Sequence, residues 1–140
     1  MGKDLHYIVE KRINNKWVGI MATDCLSSTL KNNIKALRRS RRFFACINDL
    51  TGFPDDASEL ALHEKARIEG HSHSWLKITD IYHVWVCLYH PSLRGSNTSL
   101  DETLILQAEF SEFIGVNFLG EEDNGFWIKD NLRMLFFFDN

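Results

Sequence analysis

The chain is poor in the residues that mark specialised protein classes. Its 140 residues include three cysteines, two prolines and eight glycines. Cys25, Cys46 and Cys87 are odd in number and far apart, whereas a disulfide framework needs a denser, even set. Their apolar neighbours predict reduced thiols buried in a core. With so little proline and glycine, and no low-complexity run, no linker divides the sequence. Residues 1–140 therefore read as one domain, long enough to bury a real core. No stretch approaches the ~18 consecutive apolar residues of a membrane span. The opening MGKDLHYIVEKR lacks a signal-peptide apolar run, and His6 stands where a myristoylation motif wants Ser or Thr. These absences predict a cytoplasmic protein with no membrane partner.

Catalytic signatures are missing as well. There is no P-loop, no Gly-rich dinucleotide fingerprint and no serine nucleophile elbow. Cys87 has His83 and His90 at i−4 and i+3, which on a helix are ordinary neighbours. A structural thiol therefore explains it better than a catalytic pair. His90-Pro91-Ser92 has the shape of one half of a two-histidine phosphoesterase site, but no second half follows. The acidic turn Glu121-Glu122-Asp123 lacks the alternating spacing of a calcium loop.

The formal net charge is −3 and the pI is near 6.0, too acidic for stable nucleic-acid binding. The distribution is uneven, however. Residues 1–70 hold twelve Lys/Arg against nine Asp/Glu, and residues 71–140 hold four against ten. Lys31, Lys35, Arg38, Arg39, Arg41 and Arg42 crowd a stretch with no acid between Asp24 and Asp49. A solvated helix face is the simplest account of such a run. Yet Arg38, Arg39, Arg41 and Arg42 are all arginine, whose planar fork suits two-point contact with an oxyanion.

Strands are predicted at both ends of the chain and helices in between. Leu5–Arg12 and Trp17–Ala22 form a hairpin through Asn14-Asn15, residues that tolerate positive φ. The mixed faces of the first strand predict an edge partly covered by helices. Leu30, Ile34 and Leu37 mark a weak helical stripe, after which Ser40 would cap a short helix from Arg41 to Leu50. Phe53-Pro54-Asp55-Asp56 is a turn into a helix that runs to about Ile68, with Gly70 as its stop. His71–Trp75 reads as a polar connection in which Ser72 and Ser74 cap the next turn while Trp75 plugs the core. Thr79-Asp80 opens a helix from Ile81 to Tyr89. Ser99 and Glu102 have capping-box spacing for a helix to about Ile114. Phe126–Lys129 and Leu132–Phe138 are strands, and the second is apolar on both faces, as a buried central strand is. It is expected between the hairpin and the 126–129 strand. The fold class is α+β: a small, mostly antiparallel sheet of an N-terminal hairpin plus C-terminal strands, with three to four helices packed on one face.

His71-Ser72-His73 is the most pointed local feature. In extended backbone both imidazoles project to one side, as in pairs that hold a divalent metal. No third ligand stands at a telling spacing among Glu69, Asp80, His83, His63 and His90, so no metal or other cofactor is predicted. HSHS resembles the opening metal motif of polymerase-and-histidinol-phosphatase hydrolases, whose later ligands are missing. The metallo-β-lactamase pattern wants Asp where Trp75 stands. The simpler account is that the two histidines hydrogen-bond locally or face water; an intermediate reading is a pocket in which His71 and His73 donate hydrogen bonds and Trp75 stacks on a ring.

Four stretches give the chain a likeness: Leu5-His6-Tyr7 with Trp17, the turn Phe53-Pro54-Asp55-Asp56, the block from His71 to Leu76, and the ending Leu135-Phe136-Phe137-Phe138-Asp139-Asn140. Together they span most of the sequence, which resembles a group of small bacteriophage accessory proteins. No activity is attached to that group, so no site residue is carried over. The resemblance implies a counter-defence protein acting in the host cytoplasm by binding. Its partner would be a nucleotide-like anionic signal, sequestered, or a host defence protein, inhibited. On that reading Arg38, Arg39, Arg41 and Arg42 meet phosphate while His71, His73 and Trp75 meet base or sugar. A metal-dependent hydrolase or phosphodiesterase built on His71 and His73 is the alternative. A structural, homo-oligomer-forming protein without ligand is the second, its interface fed by the 12% aromatic content.

Overall fold

The computed structural model describes residues 4–24, 33–93, 99–114 and 131–139. Cys25, the acidic turn Glu121–Asp123 and the expected strand Phe126–Lys129 lie outside them. The order of elements is β1 (Asp4–Ile13), β2 (Lys16–Asp24), α1 (Ile34–Ile47), α2 (Glu59–Arg67), β3 (His71–Lys77), α3 (Ile78–Tyr89), a single 3₁₀ turn (Pro91–Leu93), α4 (Leu100–Ile114) and β4 (Leu132–Asp139). The four strands form one antiparallel sheet in the order β2-β1-β4-β3. The fold is α+β, as the strand–helix–strand pattern implies.

Local chemistry accounts for the element ends. Asn14 and Asn15 sit at φ 51° and 62° and turn the β1–β2 hairpin, a conformation their short polar side chains tolerate. Asn33 Oδ1 accepts from the Ala36 N–H and caps α1, and Ser58 Oγ accepts from the Ala61 N–H and caps α2. At α4 the capping box closes as spaced: Ser99 Oγ accepts from the Glu102 N–H while Glu102 reaches back to the Ser99 N–H.

The sheet has helices on both faces and not, as expected, on one, because the apolar Ile8, Leu135 and Phe137 draw α2 onto the second face. Leu5, Tyr7 and Val9 of β1 and Met134, Phe136 and Phe138 of β4 join Leu37, Phe43, Phe44, Ile81, Trp85 and Phe110 in the large core under α1, α3 and α4. The alternate residues Ile8, Leu135 and Phe137 meet Ala61 of α2 and the Phe53 turn in a smaller core behind. α2 can lie close on β2 because Gly19 has no Cβ to meet Leu60.

Four further expectations need correction. β1 is an interior strand between β2 and β4, and its faces look mixed because Glu10 is buried on one of them in an ion pair. The Arg run does not separate two helices. α1 is continuous, with Ser40 fully buried in its middle. Arg and Lys are good helix formers, and a serine in the apolar stripe hid the stripe's continuity. The segment from His71 to Trp75 is strand and no polar connection, and it is the neighbour of β4 on the side away from β1. Its outer edge bonds to the loop after α1, where the Gly52 N–H donates to His73 O at 2.8 Å and Asn48 Nδ2 donates to Ser72 O at 2.5 Å. Those bonds occupy an edge that would otherwise stand open. Finally, Cys46 and Cys87 are reduced but exposed on their helices, not buried in the core.

Candidate functional site

β3 is irregular at the residues that matter. Its pairing with β4 shifts between His71 and Ser74, and Ser72 sits at φ 59°. In a regular strand His71 and His73 would share a face; the bulge parts them. His71 stacks on Phe138, with ring centroids 6.4 Å apart. His73 stacks on Phe137 at 4.8 Å, with Phe53 edge-on behind it. Phe137 and Phe138 are consecutive residues of β4 and enter opposite cores. The two imidazoles therefore do not converge on one ion, and no three His, Cys, Asp or Glu groups cluster as metal ligands among the described residues.

His73 is a packed residue. Burial, helped by the Lys65 and His71 charges, lowers its pKa below the ordinary histidine value. Trp75 lies on the same sheet face, where Trp75 and Trp17 flank the Arg133 guanidinium at 5.3 and 4.1 Å from their ring centroids. Arg133 is held by Glu10 at 2.5 Å and by Asp56 Oδ1 at 3.0 Å, and Glu10 also accepts from the Ser58 N–H at 2.7 Å. This buried network pins the 53–58 turn to the sheet. Ser74 does not cap the next helix. Its hydroxyl donates to Asp49 and, with Thr51, holds that carboxyl below the usual aspartate value.

His71 has a different setting. It opens, with Ser72, onto a groove of about 450 Å³ whose other walls are Arg41, Arg42, Ala45, Asn48, Leu50 and Phe138. α1 supplies both arginines from its eighth and ninth positions, β3 supplies the histidine and serine, and the loop between them closes the end. Arg42 is exposed, while Arg41 is half-buried with Nη1 4.0 Å from Asp4 Oδ1. His71 Nδ1 is 2.8 Å from the Ser72 hydroxyl. Its Nε2 is buried without a hydrogen-bond partner among the described residues. When Ser72 donates to Nδ1, Nε2 carries the proton and becomes a donor. Two residues of the groove adopt left-handed backbone, Ser72 and Leu50 at φ 60°. Outside the hairpin asparagines they are the non-glycine residues that do so among those described, and such strain gathers at functional sites.

Of the seven residues read as ligand-binding, the fold thus brings three together: Arg41, Arg42 and His71. Arg38 is exposed on α1 and does not line the groove. Arg39 turns toward α4, its guanidinium 5.2 Å from the Phe113 ring centroid, beside a separate cavity. His73 and Trp75 belong to the opposite face of the sheet. Ala45, Asn48, Leu50, Ser72 and Phe138 complete the groove; Ser72 is visible in the sequence only as part of the His-Ser-His block, and Leu50 gives no signal, since a leucine in left-handed backbone cannot be read from its type. The chain matches no protein family, no curated protein and no solved structure.

Proposed function

We propose that this is a bacteriophage accessory protein that acts in the host cytoplasm by non-catalytic binding, sequestering a nucleotide-type defence signal in the groove of Arg41, Arg42 and His71. The observation that carries the reading is the meeting of two guanidinium groups with an imidazole and a serine around one groove, from elements far apart in sequence. Guanidinium forks favour phosphate oxygens, and the neighbouring Leu50, Ala45 and Phe138 offer apolar surface to a base. The volume falls within the range usual for small-ligand sites. Ser72 and His71 meet in the groove, hydroxyl to Nδ1 at 2.8 Å, but no third group among the described residues orients the imidazole from Nε2, and this favours binding over turnover. The parting of His71 from His73 removes the geometric ground for the hydrolase reading.

The test is calorimetric titration with cyclic dinucleotides, linear dinucleotides and ADP-ribose. Losing one charge-assisted contact costs about 1.5–3 kcal/mol, so Arg42→Gln should weaken the bound nucleotide by roughly tenfold or more. Arg38→Gln, outside the groove, should leave affinity within about twofold. If none of these ligands binds, or if both substitutions weaken binding equally, the sequestration reading fails and a host protein becomes the target to seek.

A further inference from the structure

α1 borders a second recess whose character is opposite to the first. Between α1, α3 and α4 lies a cavity of about 560 Å³, walled by Trp85, Tyr89 and Phe113 and bordered by Arg39, Glu109 and Glu112. Three rings form one wall. Tyr89 and Phe113 have centroids 5.0 Å apart, with Trp85 at 6.3 and 6.1 Å from them. Trp85 is 3% exposed and Phe113 6%, so these two rings are held in the core, whereas Tyr89 is 42% exposed. The Trp85 indole N–H is buried with no hydrogen-bond acceptor among the described residues. Glu109 and Glu112 stand exposed at the rim, one turn apart on α4, and Glu109 Oε2 is 3.0 Å from His90 Nε2.

We propose that this cavity binds a small organic cation, an ammonium group bearing methyl or alkyl substituents. Aromatic faces attract a positive charge through the ring quadrupole, and a poorly hydrated alkylammonium loses little on leaving water. The two rim carboxylates add long-range attraction. The chain itself supplies the precedent, because Arg39 already places its guanidinium over the Phe113 ring. Arg39 is thus a resident cation that a ligand must meet, and its charge opposes entry. The site is independent of the anion groove: it shares only helix α1 with it, through different residues.

Choline is the probe, with 3,3-dimethylbutan-1-ol as a neutral control of the same shape. The readout is the Trp85 indole N–H resonance, assigned by its loss in Trp85→Phe. Choline should shift that resonance saturably, and the neutral alcohol should bind about tenfold more weakly, the cation–π term being absent. Glu112→Gln should weaken choline by about threefold, the size of an exposed charge pair. Arg39→Gln should instead tighten it by a similar factor, a gain that a merely structural role for Arg39 would not produce. Both substitutions fall on exposed residues and leave the core intact. The proposal is overturned if choline produces no saturable shift, if the alcohol binds equally well, or if Arg39→Gln weakens binding.

Discussion

β4 faces two cores, and the contrast between them explains where the recesses lie. On one side Met134, Phe136 and Phe138 meet three helices and a large aromatic cluster. On the other, Leu135 and Phe137 meet one short helix and a turn, and the space beside them is filled by the Arg133–Glu10 ion pair. Three helices laid across one face need not tile it, so gaps remain beside α1, and both the basic groove and the acid-rimmed cavity open there. The second face is tied down by polar bonds aimed at fixed positions, Asp56 and the Ser58 N–H among them. Apolar packing leaves room for recesses while the ionic network specifies a register.

Core substitutions on the two sides should separate these modes most sharply. Phe136→Ala removes a fully buried ring from the large core and should cost about 4 kcal/mol in denaturant unfolding. Glu10→Gln should cost about 3 kcal/mol, because it removes the buried carboxylate and leaves the Arg133 charge with only the exposed Asp56 as counter-ion. The apolar double replacement Glu10→Leu with Arg133→Met should recover most of that loss, since two desolvated charges disappear together. A cost under about 1 kcal/mol for Glu10→Gln would show that the ion pair does not hold the second face.

A smaller effect distinguishes the two histidines of β3. His73 has a folded-state pKa below its unfolded value of 6.5, chiefly through burial. The unfolded chain therefore binds the proton first as pH falls. The stability contributed by neutral His73 is complete above pH 6.5 and is lost as the pH drops through the folded-state value. Urea unfolding at pH 7.5, 6.0 and 5.0 should show this decline, and His73→Phe, which keeps a ring against Phe137, should flatten it. An unchanged slope in that variant would assign the acid sensitivity to other groups.

The least costly change concerns the thiols. Cys46 and Cys87 are exposed, so both should react with a thiol reagent in the native protein as accessible cysteines do. Cys46→Ser and Cys87→Ser should each move stability by no more than about 0.5 kcal/mol. Slow labelling of either would place it under cover.

Several features were legible because their causes are local. The Asn14-Asn15 turn, the Ser99–Glu102 capping box and the doubly buried β4 each follow from a few adjacent residues and hold in the fold. The arginine stretch was also visible as a place of interest. Which arginine serves which recess was not, because residues one position apart on a helix point about 100° from each other. Only the rotation of α1 against the sheet, set by Leu37, Phe43 and Phe44 in the core, sends Arg41 and Arg42 to the groove and Arg39 to the cavity. β3 is the same lesson in a strand. His-Ser-His-Ser is too polar to announce a strand by itself, and pairing with β4 supplies the hydrogen bonds that make it one. The bulge at Ser72 then turns the two histidines to opposite faces. Short-range chemistry thus decided the turns, caps and central strand, whereas the site depended on long-range packing, which alone settles how far each element is turned.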